Sequence, residues 1–312
     1  MRRRVAALLA VAAALGACGG GPSPSPRRAG ISLEHLVRAV AFGEGSVWAA
    51  LEAEGKVVRI DPEAGAVTDS ILVDGQPRDV ALGEGAAWVT SRGSVSKIDP
   101  GTNRSEVVRR FDARVGSPGV AVGAGSVWAI GPDETVLRID PASGDVVETV
   151  DLPSSGRVVA FGEGSLWIGM SNSDVARVDP VTNRVEGTVE AGLGVSDIAV
   201  GSGAVWAVGE SSAEVVRIDP EAVRVEARIP VGNAPRPIDA SGDEVWVGVD
   251  STSEIASIDP DADEVSKRVP LAEGAGIDPF AIDIAIGGGD VWVAIIGGRV
   301  VQVDPATGRL GP

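Results

Sequence analysis

The sequence is poor in the side chains that most often carry out chemistry. Its 312 residues include one cysteine, one histidine and no tyrosine. A single cysteine cannot form an internal disulfide. One histidine is too few for a histidine-rich metal site, and any Ser-His-Asp triad or Cys-His pair would have to depend on His35 alone. The sequence therefore predicts no catalytic residue, no metal site and no cofactor, and we interpret His35 as an ordinary loop residue.

Basic residues are outnumbered as well. The chain has 27 lysines and arginines against 44 aspartates and glutamates, a formal net charge of −17. Nucleic-acid partners require a basic surface, so this balance argues against them. It also argues against electrostatic docking on anionic lipid. We interpret the acidic excess as a determinant of solubility.

Long hydrophobic runs are scarce too. The apolar stretch from Val5 to Ala17 has 13 residues, too few to span a bilayer as a helix, and three arginines precede it. It ends in Leu-Gly-Ala-Cys at Cys18, which resembles the lipobox of bacterial lipoproteins. The resemblance implies a signal peptide over residues 1–17 and a lipid on Cys18, followed by a Gly/Ser/Pro-rich linker over 18–30. The alternative is ordinary secretion with an incidental cysteine.

Helix signals are scarce, and a repeat takes their place. Tryptophans recur at separations of 39 or 40 residues, with 46 for the last pair, and Asp-Pro pairs keep nearly the same period. Two independent markers with one period make chance a poor explanation. The tryptophans are Trp48, Trp88, Trp128, Trp167, Trp206, Trp246 and Trp292. The Asp-Pro pairs begin at Asp61, Asp99, Asp140, Asp179, Asp219, Asp259 and Asp304.

Each repeat divides into four short segments rich in Val and Ile, the pattern of one β-propeller blade. We therefore predict an all-β fold over residues 31–312, a seven-bladed β-propeller with four-stranded antiparallel blades. Only seven residues follow Asp304-Pro305, too few for a fourth strand. The segment around residues 28–34 aligns with the outer strands, so we expect it to close the last blade and remove an open sheet edge.

The repeated residues have structural roles in this fold. Asp-Pro followed by Gly or Asn predicts a turn that needs a left-handed residue, and Val223 and Asp263 depart from this pattern. The Gly-Glu-Gly triplets that begin at Gly43, Gly83 and Gly162 predict hairpin turns. The tryptophans are expected to wedge between neighbouring blades; carbohydrate stacking on exposed rings is the alternative.

The repeat resembles a known group. Segments such as PRPIDA, VWVGV and EIASIDP are similar to the repeats of the YVTN-type and virginiamycin B lyase-like (streptogramin lyase) propellers. For the lyase, the resemblance implies a Mg²⁺-assisted elimination that uses a histidine in a Pro-His-x-Ile segment. The matching segments here carry Arg78 and Arg236 instead. An arginine does not exchange a proton near neutral pH, so the sequence favours a non-catalytic module.

Four arginines occupy equivalent positions at the start of the predicted inner strands. They come from blades one, two, four and six, and radial symmetry would bring them to the mouth of the central channel, inside an acidic rim of loop carboxylates. We predict that they bind a ligand: Arg38, Arg78, Arg157 and Arg236. The alternative is that each pairs with a neighbouring carboxylate, such as Asp79 or Asp239, and only stabilises the ring.

Together these patterns predict an extracytoplasmic, lipid-anchored monomer that binds a small molecule, a peptide or an envelope protein. It would lie on the outer side of the cytoplasmic membrane, or in the periplasm of a Gram-negative cell. The alternatives are a metal-assisted enzyme of the lyase-like type and a scaffold for envelope proteins.

Overall fold

A computed structural model describes residues 30–33, 35–111, 119–192, 194–271 and 279–311. The predicted signal peptide, Cys18 and all of the predicted linker except Gly30 lie outside these residues. No helix in the described part of the chain has the length and apolarity needed to cross a membrane.

The described strands form seven antiparallel sheets of four strands each, the blades of a β-propeller. The predicted fold class is confirmed. Six blades use four consecutive strands, and the first of these is the inner strand at the central channel.

Blades one to three contain β2 (Val37–Gly43), β3 (Ser46–Leu51), β4 (Lys56–Asp61), β5 (Ala66–Leu72); β6 (Pro77–Gly83), β7 (Ala86–Ser91), β8 (Ser94–Asp99), β9 (Arg104–Arg110); β10 (Val120–Gly123), β11 (Ser126–Ile130), β12 (Thr135–Ile139) and β13 (Val146–Asp151). Blades four to six contain β14 (Gly156–Gly162), β15 (Ser165–Met170), β16 (Asp174–Asp179), β17 (Arg184–Glu190); β18 (Asp197–Gly201), β19 (Ala204–Val208), β20 (Glu214–Asp219), β21 (Arg224–Pro230); β22 (Pro235–Ser241), β23 (Glu244–Val249), β24 (Glu254–Asp259) and β25 (Glu264–Pro270). Blade seven contains β26 (Ala281–Gly287), β27 (Asp290–Ile295), β28 (Arg299–Val303) and β1 (Ile31–Ser32). In blade six, a 3₁₀ turn spans Asp250–Thr252, between β23 and β24.

The core lies between the blades, and the tryptophans are its largest members. All seven are at most 1 % exposed, so the wedge prediction is confirmed and stacking on exposed rings is wrong. Trp167 of blade four packs with Ile198 and Val205 of blade five, for example. Burying one such ring removes ~150–250 Å² from water and contributes at most roughly 4–6 kcal/mol.

The first glycine of each Gly-Glu-Gly triplet has a second role besides the hairpin. A Cβ on Gly43 would lie 2.6 Å from Leu82 of the next blade, and one on Gly123, at the same position of blade three, 2.0 Å from the ring of Phe161. The carbonyls of these glycines also accept the indole N–H of Trp48 and Trp128, at 3.1 and 3.2 Å. Neighbouring blades can therefore approach closely only where this position lacks a side chain.

The Asp-Pro turns form as predicted. In the first, Oδ1 of Asp61 accepts the backbone N–H groups of Glu63 and Ala64, and the residue that ends the turn, Gly65, has φ 59°. Blades five and six form the same turn, although their sequences depart from the Gly or Asn pattern. Val223 and Asp263 adopt the same left-handed conformation, with φ of 49° and 55°, although a β-branched valine is strained there.

Cations on the third strand connect each of several blades to the next. The guanidinium of Arg59 lies 5.2 Å from the centre of the Trp48 ring and donates a 2.7 Å hydrogen bond to the carbonyl of Pro100. The Asp-Pro turn of one blade is thereby held by the tryptophan-bearing sheet of the preceding blade. The same stacking occurs at Lys97, Arg138, Arg177 and Arg217.

Blade seven is closed by both ends of the described chain. Ile31 and Ser32 pair with Val300 and Arg299, which confirms the predicted N-terminal closing strand. Further along β28, Leu310 forms a bridge with Val303, an additional contact that the sequence did not suggest. The outer strand of this blade is therefore split. The part that pairs with Arg299 and Val300 comes from the start of the propeller, and the part that pairs with Val303 comes from its end.

Candidate functional site at the channel mouth

The four predicted arginines line one pocket of about 190 Å³ where the inner strands begin. We call them the arginine collar. Their convergence follows from the local strand geometry. In β2, Val37 and Ala39 pair with adjacent residues of β3, so Arg38 is the extra residue of a β-bulge; Arg78 and Arg157 are extra residues in the same way. A bulge re-aims the side chain that it carries, and here that side chain is a guanidinium at the channel mouth.

Two members of the collar are held by ion pairs. Arg78 contacts Glu52 at 2.6 Å, and Arg236 contacts Glu210 at 2.6 Å and Asp250 at 2.9 Å. The predicted partners Asp79 and Asp239 are wrong. The carboxylates that hold these arginines come instead from the acidic rim, because the loops after the second strands reach over the channel mouth.

The other two members, Arg38 and Arg157, are exposed and make no ion pair or hydrogen bond with any described residue. Arg38 still acts electrostatically on the collar. Burial lowers the pKa of Arg78, Glu52 opposes this, and the positive charges of Arg92 and Arg38 lower it further. The mouth therefore concentrates positive charge that its own carboxylates balance only in part.

Three aspartates lie directly below the collar, and sequence reasoning missed their role. They occupy equivalent positions of blades two, five and seven, since each pairs with the residue two places after the blade's tryptophan. All three line the same pocket, and we call them the channel aspartates: Asp79, Asp197 and Asp283.

Each channel aspartate links two blades through backbone hydrogen bonds. Asp197 accepts the N–H of Ile198 at 2.9 Å with one oxygen and the N–H of Ile238, in the next blade, at 2.9 Å with the other. Asp79 and Asp283 do the same toward Val120 and Val40. Asp239, two residues deeper in blade six, accepts the N–H of Ile286 at 2.7 Å in the same manner.

The surroundings of these carboxyls disfavour their ionised form. Burial raises the pKa of Asp79 to about 6. Burial, together with the negative charges of Asp79 and Asp239, raises the pKa of Asp197 to about 7. The pKa of Asp283 lies well above its usual range, again through burial first and repulsion from Asp197 and Asp79 second. Desolvation and mutual repulsion act in the same direction here, and the backbone hydrogen bonds oppose them only in part.

The remaining candidate features lie elsewhere or are not found. His35 is outside the pocket, with its Nδ1 3.4 Å from Glu54. Within the described residues, no group of three or more His, Cys, Asp or Glu side chains is arranged to hold a metal ion.

Comparison with known proteins establishes the fold and nothing finer. No protein-family model matches the chain, and no curated protein matches it in sequence. Among solved structures it is similar to hydrazine synthase from Kuenenia stuttgartiensis, with a TM-score of 0.71 at 15% identity over 93% of this chain and 99% of that one. It is also similar to the WD40 domain of Neurospora crassa Pan2, with a TM-score of 0.72 at 12% identity over 87% and 90% of the two chains.

The fold and the pocket together define the class of this protein. It is a seven-bladed β-propeller whose channel mouth carries an arginine collar above three half-buried aspartates.

Proposed function

We propose that this protein is a non-catalytic binding module that takes up a carboxylate-bearing or other anionic group at the arginine collar. The observation that carries the proposal is the division of the collar into two held and two available guanidiniums. The ion pairs of Arg78 and Arg236 fix the shape of the mouth, while Arg38 and Arg157 keep their donors for a ligand. A guanidinium matches a carboxylate with two parallel hydrogen bonds.

The asymmetry of the collar supports a binding role over a structural one. A purely structural arginine would be expected in every blade, as the tryptophan is. Blades five and seven have Ser196 and Ile282 at this position, and both line the pocket. The available arginines therefore contribute little to blade packing, and they approach the channel mouth from blades one and four, on nearly opposite sides of the ring.

The test is calorimetric titration with butyrate and succinate. We expect wild-type protein to bind at least one of them, and the Arg38→Gln, Arg157→Gln double variant to bind roughly tenfold to a hundredfold more weakly, the loss of a charged hydrogen bond of about 1.5–3 kcal/mol. Arg184→Gln is the matched control, because Arg184 is an exposed arginine on the outer strand of blade four. Equal binding by the double variant and the control would refute the proposal.

We further propose that the module is anchored outside the cytoplasmic membrane by a lipid on Cys18 and belongs among the YVTN-type or virginiamycin B lyase-like propellers. The Leu-Gly-Ala-Cys sequence and the repeat pattern support this. Cys18→Ser should release the protein from membranes and change its mature mass. Unchanged partitioning with a normal mass would contradict the anchor. Saturable, functional Mg²⁺ binding would instead favour the lyase-like enzyme.

A further inference from the structure

The floor of the pocket carries carboxyl groups, which a purely anionic ligand would not contact favourably. Below the positive collar, the three channel aspartates converge on the same cavity from blades two, five and seven. No cation of the described residues lies within ion-pair distance of any of them, although the charge of Arg38 lowers the pKa of Asp79, and Asp239 adds a fourth carboxyl two residues deeper. Partly desolvated carboxylates without an ion-pair partner carry a free-energy cost, and a positive group that enters the channel would offset that cost.

The channel aspartates also keep the capacity to bind such a group. A carboxylate offers about four acceptor positions. In Asp79, Asp197 and Asp283 two of these are used by backbone N–H groups, one for each oxygen. The same hydrogen bonds fix the orientation of the carboxyls between rigid strands. Their remaining lone pairs are therefore held in place along the channel rather than on mobile loops.

We propose that the channel aspartates form a subsite for an ammonium group, and that the ligand of this pocket is dipolar, with its carboxylate at the arginine collar and its ammonium at the floor. This inference rests on the proposed function, since the collar must bind the carboxylate. A molecule with both charges matches the order of charges along the channel, because the arginines lie at the mouth and the aspartates lie deeper.

Size and long-range charge narrow the class of ligand. The pocket has a volume of about 190 Å³ and opens to solvent at its mouth. It has room for a short amino acid or the end of a peptide. The net charge of −17 also repels a purely anionic ligand, whereas a neutral dipolar molecule meets no such barrier.

The experiment compares three matched series by calorimetry at about pH 8, where more of the channel carboxyl groups are ionised. The amino acids are β-alanine, γ-aminobutyrate and ε-aminocaproate; the matched acids are propionate, butyrate and caproate; the matched amines are propylamine, butylamine and hexylamine. We expect the best amino acid to bind at least about tenfold more tightly than its acid and its amine. This comparison uses wild-type protein only, so it does not depend on whether a variant folds.

Variants then locate each end of the ligand. Asp197→Asn should erase the advantage of the amino acid over the acid, and the acid itself should bind at least as tightly as before, because a negative charge below the collar is removed. Asp261→Asn is the control, because Asp261 is an exposed aspartate in the turn between β24 and β25. Arg38→Gln with Arg157→Gln should weaken both the acids and the amino acids.

The outcomes separate the two proposals. Equal affinity for amino acids and acids, with the arginine dependence intact, overturns the ammonium subsite and leaves the proposed function standing. Amines that bind through Asp197 without any arginine dependence overturn the proposed function and the dipolar ligand together. Mg²⁺ or Ca²⁺ that binds through Asp197 and excludes amines replaces the ammonium subsite by a metal site. No binding in any series overturns both proposals.

Discussion

The half-buried channel aspartates predict that this protein becomes less stable as the pH rises from acid to neutral. The unfolded chain ionises an aspartate near pH 3.8, whereas Asp197 in the folded protein holds its proton up to about pH 7. A group whose folded pKa is raised costs nothing below the unfolded pKa. Above it, the unfolded state ionises first and gains free energy until the folded pKa is reached.

The magnitude follows from the two pKa values of Asp197. Each pH unit between them corresponds to about 1.4 kcal/mol, so ionising Asp197 costs on the order of 4 kcal/mol of unfolding free energy between about pH 4 and pH 7. Asp79, with a folded pKa of about 6, adds a cost of the same kind over a narrower range. For a domain with a typical stability of about 5–15 kcal/mol, this is a large fraction.

The other carboxyl groups do not cancel this decrease of the unfolding free energy with rising pH. Several turn and loop aspartates have a lowered pKa, which stabilises the fold above the unfolded pKa and is lost only when the pH falls below about 4. Their contribution is constant between about pH 5 and pH 8. They are Asp74, Asp140, Asp179, Asp219 and Asp304.

The assay is urea unfolding at about pH 5, 6, 7 and 8, followed by tryptophan fluorescence. We expect the unfolding free energy to fall steadily over this range. Asp197→Asn should flatten the slope, and it should also relieve the repulsion that raises the pKa of Asp283. Asp219→Asn, in an exposed turn, should leave the slope unchanged. A free energy that is flat or rises from pH 5 to pH 8 would show that the channel aspartates are not desolvated as described.

Three further predictions concern the packing, turns and closure of the blades that surround the pocket. Gly123→Ala should lower the unfolding free energy by about 1–3 kcal/mol, because its Cβ would lie 2.0 Å from Phe161, while Gly125→Ala, with open space around it, should cost only its backbone strain; urea titrations compare the two. Val223→Asn should raise the melting temperature by relieving part of a left-handed strain of about 1–2 kcal/mol, and no change would mean that the valine's packing offsets it. Deleting residues 28–34 should lower the melting temperature and promote aggregation by exposing the edge of blade seven, and an equally stable monomer would show that the C-terminal contact suffices.

The fold could be predicted from the sequence because one unit is repeated seven times under the same packing constraints. Each tryptophan must fit between two blades, and each Asp-Pro turn must connect the same two strands. Any residue that departs from the repeat is still forced into its geometry by its neighbours, as Val223 shows. The sequence suggested an exception there because it reports local preference, whereas the ring imposes the turn.

The candidate site was predictable only in part. The arginine collar follows from equivalent positions, since a ring brings equivalent residues to one axis. The bulges that aim these side chains, and the choice of Glu52 or Glu210 as partner, depend on how two strands and a loop fit together in space.

The channel aspartates were missed because their hydrogen-bond partners lie in the next blade, 41 residues away for Asp79 and Asp197 and 243 residues away for Asp283. The signal was nevertheless present in the sequence: an aspartate directly before Val80, Ile198 and Ile284, inside strands that are otherwise apolar.

The split outer strand of blade seven leaves the N-terminal end of the propeller held by few hydrogen bonds, which has a consequence under mechanical force. A chain pulled at Gly30 is held by the two-residue strand β1 and by the hydrogen bond from Leu33 to Gly298, at 2.8 Å. Tension across a strand edge breaks such bonds one after another rather than all together. A pull from the N-terminal side would therefore separate β1 from β28 first, while Leu310 remains paired with Val303 at the other end of β28. The propeller would therefore yield at Ile31 to Leu33 before the load reached the channel aspartates or the collar.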